Sequence, residues 1–183
     1  MTDSMEKDPK QFLIDNLRCV PDFPTKGINF RDITSWFINP ECIDVMTDML
    51  VSHYKDEGIT KIVGLESRGF LMGSILSKEL HAGFVLARKP GKLPTATIRE
   101  TYQKEYGTDT LEIARDAITP HDVVLIHDDL LATGGTAIAA YNLVRKFHPR
   151  RILLSFLIEI TDEGLHGRDA FPEGVPLNTL VTV

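Results

Sequence analysis

Residues 123–136 read VVLIHDDLLATGGT. An apolar run of strand type ends in two adjacent carboxylates, Asp128 and Asp129, and a loop of small residues follows. Gly134 and Gly135 allow left-handed backbone and close approach of a ligand. Thr133 and Thr136 add hydroxyls. The helix predicted to start here, GGTAIAAYNLVRKF, adds free N–H groups and the positive end of its dipole. Together these form a cradle for a phosphate monoester. No GK[ST] follows and GxGxxG is absent, so this is neither a Walker loop nor a dinucleotide fingerprint. Asp128 and Asp129 would repel a phosphate and must face something else. An ionised carboxylate only accepts hydrogen bonds, so sugar hydroxyls fit. A magnesium ion held partly by the substrate fits as well.

A second cluster is cationic. Arg68 follows one predicted strand, and Arg88, Lys89 and Lys92 follow the next. Four positive charges at two neighbouring strand ends could neutralise a diphosphate. The substrate these parts imply has a phosphate at one end, vicinal hydroxyls in the middle and a polyanion at the other end. A phosphorylated ribose carrying a pyrophosphate has that form.

The elements that must position these groups alternate along the chain. A short amphipathic helix is expected over residues 5–19 and a turn-rich loop, PDFPTKGINFRD, after it. Asn39 and Pro40 read as N-cap and first turn of a helix reaching about Glu57, with Gly58 as its stop. KIVGLES is a strand, RGFLMGSILSKEL a helix and GFVLAR a strand. Residues 89–110, rich in Pro, Gly, Thr and charge, read as an irregular, flexible loop. DVVLIHD is a strand, the GGT helix follows, RRILLSFLIEI is a strand, and a short strand is expected over 177–183. This order predicts one α/β domain over residues 1–183: an open, twisted, mainly parallel sheet with helices on both faces. Ligands of such sheets sit at the carboxyl ends of the strands, which is where the two clusters fall.

Composition narrows the class of function. With 183 residues, 43% of them apolar, the chain can bury a core without disulfides or a structural metal. No apolar run is long enough for a membrane span. A net charge of −6 argues against nucleic acid as a partner. Cys19 and Cys42 show no metal or CxxC spacing. The N-terminus, MTDSMEKDPK, lacks the basic start and apolar stretch of a signal peptide, so a cytoplasmic location is expected.

VVLIHDDLLATGGT resembles the signature of the type I phosphoribosyltransferases, which bind 5-phosphoribosyl-1-pyrophosphate (PRPP). DFPTKGINFRDIT, GLESRGFLMG, LARKPGKLP, EYGTDTLEI and FLIEIT extend the likeness over about residues 22–161, and point to the adenine-specific branch. The resemblance implies conversion of adenine and PRPP to AMP and pyrophosphate with Mg²⁺, by a homodimer, and a fold with a small N-terminal hood over residues 1–35. It implies that Ala132, Thr133, Gly134, Gly135 and Thr136 hold the 5′-phosphate, and that Asp128 and Asp129 contact the ribose. Glu66, Ser67, Arg68, Arg88, Lys89 and Lys92 would hold the pyrophosphate, with a strained or cis peptide before Ser67 exposing backbone N–H groups. Phe30 would stack on adenine, the backbone of Asn29 and Arg31 would read its edge, and Ile160 would close the other face. Glu105 would be the acid/base on the loop over residues 95–110, and Tyr106 would help that loop close.

Two residues depart from the pattern. His127 stands where the signature has an aliphatic residue, and strand alternation turns it away from Asp128, so a packed histidine is expected. Lys26 stands where many relatives have Pro, which would loosen the base-binding loop. Residues after Ile160, TDEGLHGRDAFPEG, match only loosely and receive no role. Alternative readings are a phosphoribosyltransferase for another nucleobase, and a non-catalytic PRPP-binding regulator.

Overall fold

The computed structural model describes residues 8–103, 107–161 and 164–183. Contacts group the chain into two units, Met1–Met49 and Leu50–Val183.

In the first unit, Asp8 caps helix α1 (Pro9–Asp15) by accepting from the Lys10 N–H at 3.1 Å, with Pro9 in the first turn. The helix stops at Asp15 and does not reach residue 19. The Asn16 side chain takes the Phe12 carbonyl at 2.9 Å, and the chain leaves as strand β1 (Arg18–Pro21). β1 pairs antiparallel with β2 (Asn29–Asp32), which places Val20 opposite Phe30. The expected loop is therefore a small ribbon, tied by Arg18 to Asp32 at 3.0 Å. Helix α2 (Thr34–Phe37) buries Trp36, whose indole N–H donates to the Leu13 carbonyl at 2.7 Å. Helix α3 (Pro40–Tyr54) begins as expected, with Asn39 Oδ1 accepting from the Glu41 N–H at 3.1 Å.

The second unit is built on a five-stranded sheet. Its strands are β3 (Lys61–Leu65), β4 (Gly83–Ala87), β7 (Val123–Leu131), β8 (Arg151–Glu159) and β9 (Leu177–Thr182). Their order is β4-β3-β7-β8-β9, and every pairing is parallel. Helix α4 (Gly69–Glu79) crosses between β3 and β4, and α5 (Gly135–Arg145) between β7 and β8. Val124 and Ile126 share a buried cluster with Ala140, Leu143 and Val144 of α5. His127, of opposite parity, lies against Gly73 of α4. The two helices therefore cover opposite faces, as the alternation of the sequence requires. Each large aliphatic side chain buried between these layers contributes about 1.5–3 kcal/mol.

Much of the region expected to be irregular forms strands. Strands β5 (Thr97–Gln103) and β6 (Thr108–Ala114) form an antiparallel ribbon, with Ile98 opposite Ile113. Its apolar side faces the α5 layer, where Ile98 and Tyr102 pack on the main core beside Leu111 and Ile113. Among the described residues, no helix is long and apolar enough to cross a membrane.

Candidate active site

β7 runs to Leu131, further than the sequence indicated, so Asp128 and Asp129 belong to the strand itself. The turn to α5 is made at Gly134, which caps the helix in left-handed backbone at φ 78°. A Cβ there would come within 2.5 Å of the Gly167 carbonyl oxygen and 2.9 Å of the Ala170 Cβ, so this position accepts only glycine without rearrangement. The Thr133 hydroxyl accepts from the Gly135 N–H at 3.4 Å, and the Thr136 hydroxyl lies 3.3 Å from the Tyr102 hydroxyl of β5. A cavity of about 210 Å³ opens here, lined by Arg68 and every residue from Asp128 to Ala137. The cradle and the carboxylates thus face one space. A wider groove, of about 510 Å³, lies beside Tyr141, Arg145 and His148. It sits at the amino end of β8, away from the edge where parallel sheets bind ligands.

The two carboxylates sit in different surroundings. Asp129 is 5% exposed and receives Arg68 Nε at 2.5 Å. Asp128 accepts the Asp129 backbone N–H at 2.9 Å and faces the start of α4, where a Cβ on Gly69 would approach its Oδ1 to 3.0 Å. Burial, and then the neighbouring charge of Asp129, hold the Asp128 carboxyl well above its ordinary value. A pair kept under this repulsion is relieved by hydroxyl donors or by a cation. Asp128 and Asp129 could therefore share a divalent ion with a bound substrate.

At the neighbouring strand ends, the peptide between Glu66 and Ser67 is cis, matching the form expected there. Glu66 gathers the cations: its Oε1 lies 2.6 Å from Lys92 Nζ and 3.3 Å from Arg88 Nη2, and its Oε2 accepts the Lys89 N–H at 2.8 Å. Burial pushes the Glu66 carboxyl up, but the bonds from Lys92, Lys89 and Arg88 outweigh it and bring the value to about 2. Lys89 Nζ pairs with Asp109 of β6. Arg88 Nε is buried without a hydrogen-bond partner among the described residues, a donor open to an anion. Arg68 stands apart from these three, on Asp129. The cationic cluster is therefore divided between the RKPGKLP loop and the carboxylate pair.

Asn29, Phe30 and Arg31 lie on β2 of the first unit, where the Phe23 and Phe30 rings meet edge to face at 5.2 Å. Lys26 sits in a loop closed by three bonds: Gly27 N–H to Asp22 Oδ1 at 2.7 Å, Phe23 N–H to the Ile28 carbonyl at 3.2 Å and Ile28 N–H to the Thr25 carbonyl at 3.2 Å. Ile160 follows β8 in the second unit, its N–H donating to the Leu131 carbonyl at 2.9 Å. Glu105 and Tyr106 lie outside the described residues.

Sequence reasoning missed Glu112. This carboxylate is 1% exposed and accepts from the Gly91 N–H at 2.9 Å, from Thr97 Oγ1 at 3.1 Å and from Arg99 Nε at 2.8 Å. It thereby ties the RKPGKLP loop to the β5–β6 ribbon. The signal was present: a charge between Leu111 and Ile113 in an apolar strand must be paired where it is buried. His127 is fully buried, and its Nδ1 shares a 3.2 Å hydrogen bond with Ser155 Oγ. Burial brings its value down to about 4, so it is neutral at pH 7, as a packed histidine should be.

The phosphoribosyl transferase domain family matches residues 33–168. An adenine phosphoribosyltransferase of Phocaeicola vulgatus is 56% identical over 174 residues, 95% of this chain and 99% of that protein. The crystal structure of adenine phosphoribosyltransferase from Rhodothermus marinus matches at a TM-score of 0.88 and 47% identity, covering 96% of this chain and 98% of the other. The Giardia lamblia enzyme, solved with 9-deazaadenine, matches at 0.88 and 39% identity, covering 95% of this chain and 97% of the other. Sheet order, phosphate-type cradle and relatives agree: the chain belongs to the phosphoribosyl transferase domain family and, within it, to the adenine phosphoribosyltransferases.

Proposed function

We propose that the cavity at the β7–α5 turn binds the 5-phosphoribosyl end of PRPP, and that the protein transfers this group to adenine, giving AMP and pyrophosphate. The observation that carries the reading is one space faced by the left-handed Gly134 turn, the Thr133 and Thr136 hydroxyls and the Asp128–Asp129 pair. Residues 132–136 hold the 5′-phosphate with first-turn N–H groups and hydroxyls. Asp128 and Asp129 accept the ribose hydroxyls. The loops carrying Glu66, Ser67, Arg68, Arg88, Lys89 and Lys92 receive the pyrophosphate, and the open Arg88 Nε is one donor aimed at it.

The bond from ribose C1 to the pyrophosphate oxygen breaks as an adenine nitrogen arrives at C1, and the electron pair leaves with the pyrophosphate. Charge on the departing oxygens is met by the basic residues. Holding the base at attacking distance is assigned to Phe30, to the backbone of Asn29 and Arg31, and to Ile160, all on the strength of the resemblance. Glu105 takes the proton that adenine gives up, and Tyr106 helps exclude water. The resemblance implies that Mg²⁺ is held chiefly by the substrate, and the carboxylate pair stands beside it as a hard-oxygen partner. When bound, Mg²⁺ supplies charge neutralisation for the leaving pyrophosphate. A homodimer in the cytoplasm fits the resemblance, and the unpaired Cys19 and Cys42 fit a reducing compartment. AMP formation from adenine and PRPP tests the reading: it should require Mg²⁺, stop with a chelator and return when Mg²⁺ is restored. Formation that is indifferent to the chelator would remove the metal assignment.

The carboxylate pair also allows function to be separated from folding. Asp128→Asn removes a carboxyl that burial, and then repulsion from Asp129, raise above its ordinary value of 3.8. Between that value and the raised one, the folded protein binds more protons than the unfolded chain, so stability falls as pH rises through this window. The variant should therefore be more stable at pH 7 by about 1 kcal/mol, a Tm gain of about 2–4 °C. That gain should fade as pH falls through the window and vanish below 3.8, where the wild-type carboxyl becomes protonated in both states. Its kcat/KM for PRPP should drop about 10–100-fold through loss of charge-assisted bonds. Calorimetry and steady-state kinetics check both halves, and a variant that melts earlier with unchanged kinetics would make Asp128 structural.

A further inference from the structure

Residues 164–171 have no role in the reading above, yet they form the floor of the cradle. Gly167–Ala170 is a single turn of 3₁₀ helix. A Cβ on Gly167 would meet the Ala132 carbonyl oxygen at 2.6 Å and Leu131 Cγ and Cδ1 at 2.8 Å, while the Gly167 carbonyl occupies the space a Cβ on Gly134 would need. Ala132 and Gly134 of the phosphate turn therefore both rest on one residue.

Arg168 fixes that residue in place. Its Nε lies 2.7 and 2.9 Å from the two oxygens of Glu159, and its Nη2 lies 2.7 Å from Oε2. Nη2 also donates to Thr179 Oγ1 at 3.1 Å and Nη1 to the Leu177 carbonyl at 3.3 Å. Thr179 completes the set by donating to Glu159 Oε2 at 3.2 Å. The Glu159 side chain is 8% exposed, so its charge depends on this partner. Five donor bonds of one guanidinium thus join the ends of β8 and β9 to the turn under the cradle, a fork that an ammonium cannot reproduce.

We infer that Arg168 is a positioning residue for the 5′-phosphate: locked on Glu159, it holds Gly167 against Ala132 and Gly134 and so sets the shape of the phosphate turn. The inference rests on the proposal that residues 132–136 bind the 5′-phosphate. It separates this end of the substrate from the pyrophosphate end, whose loops are tied instead through Glu66 and Glu112.

Titration calorimetry with two probes tests it, using ribose 5-phosphate for the cradle and magnesium pyrophosphate for the other end, well below the melting temperature of each variant. Arg168→Ala should weaken ribose 5-phosphate about tenfold or more, because sub-ångström placement is lost, and leave pyrophosphate binding unchanged. Arg168→Lys, which keeps charge but not the fork, should fall between wild type and Ala. Gly167→Ala leaves the Arg168–Glu159 pair in place and pushes on Ala132, so it should give the same selective loss even if Arg168→Ala fails to fold. Equal loss of both probes, or ribose 5-phosphate binding unchanged in Gly167→Ala or in a folded Arg168→Ala, would overturn the positioning role. Wild-type protein that binds pyrophosphate but not ribose 5-phosphate would overturn the cradle assignment itself, and the inference with it.

Discussion

Gly134→Val should reduce kcat/KM for PRPP by about 100-fold or more. Two costs combine at this residue. Its φ of 78° is left-handed backbone, which costs a residue with a side chain about 1–2 kcal/mol and a β-branched residue more. A Cβ would also stand 2.5 Å from the Gly167 carbonyl and 2.9 Å from the Ala170 Cβ, neither of which is the far end of a flexible side chain. The turn must move to relieve both, and displacement of about 1 Å in a binding group can cost about 10²-fold. Gly135→Ala is the matched control for stability. A Cβ there meets Thr133 Oγ1 at 3.7 Å, an ordinary contact, so stability should stay within about 0.5 kcal/mol. Steady-state kinetics with varied PRPP, alongside thermal melts of both variants, make the comparison. Near-normal PRPP kinetics in Gly134→Val would place the 5′-phosphate elsewhere.

Glu105→Gln should lower kcat about 10²–10⁴-fold with little change in the PRPP KM, the mark of a proton-transfer group that does not hold the sugar phosphate. The assignment comes from the likeness of EYGTDTLEI to the family. Glu105 itself lies outside the described residues; ahead of it on β5, Tyr102 meets Thr136 of the cradle helix at 3.3 Å. The fall in kcat should be accompanied by loss of the limb of the pH–rate profile that the carboxylate controls. A variant with wild-type kcat would remove Glu105 from the chemistry, while leaving the cradle intact.

The parallel sheet was legible because buried strands such as KIVGL and VVLIHD are short apolar runs bounded by turn formers, and because Gly134 and Gly135 break the apolar pattern between a strand and a helix. The β5–β6 ribbon was hidden by its composition. Thr97, Arg99, Thr101 and Gln103 alternate with Ile98, Glu100 and Tyr102, so only one face carries an apolar signal, and a charge interrupts it. β1 and β2 are four residues each and are paired to one another alone, too short for periodicity to register. Within the site, residue types and order could be read, but partners could not. Arg68 pairs with Asp129 across 61 positions, and Gly91 with Glu112 across 21. Such contacts are set by strand register, to which no local pattern points. Arg168 was invisible for the same reason: its partners come from the ends of two strands that meet only in the folded sheet.

Pyrophosphate release, measured with PRPP and Mg²⁺ and a panel of adenine, hypoxanthine, guanine, xanthine, uracil and orotate, tests the proposed activity most directly. Turnover confined to adenine is expected. Turnover with another base in its place would contradict the assignment of Phe30 and Ile160 while keeping the PRPP cradle. Absence of turnover with every base would contradict catalysis by this site.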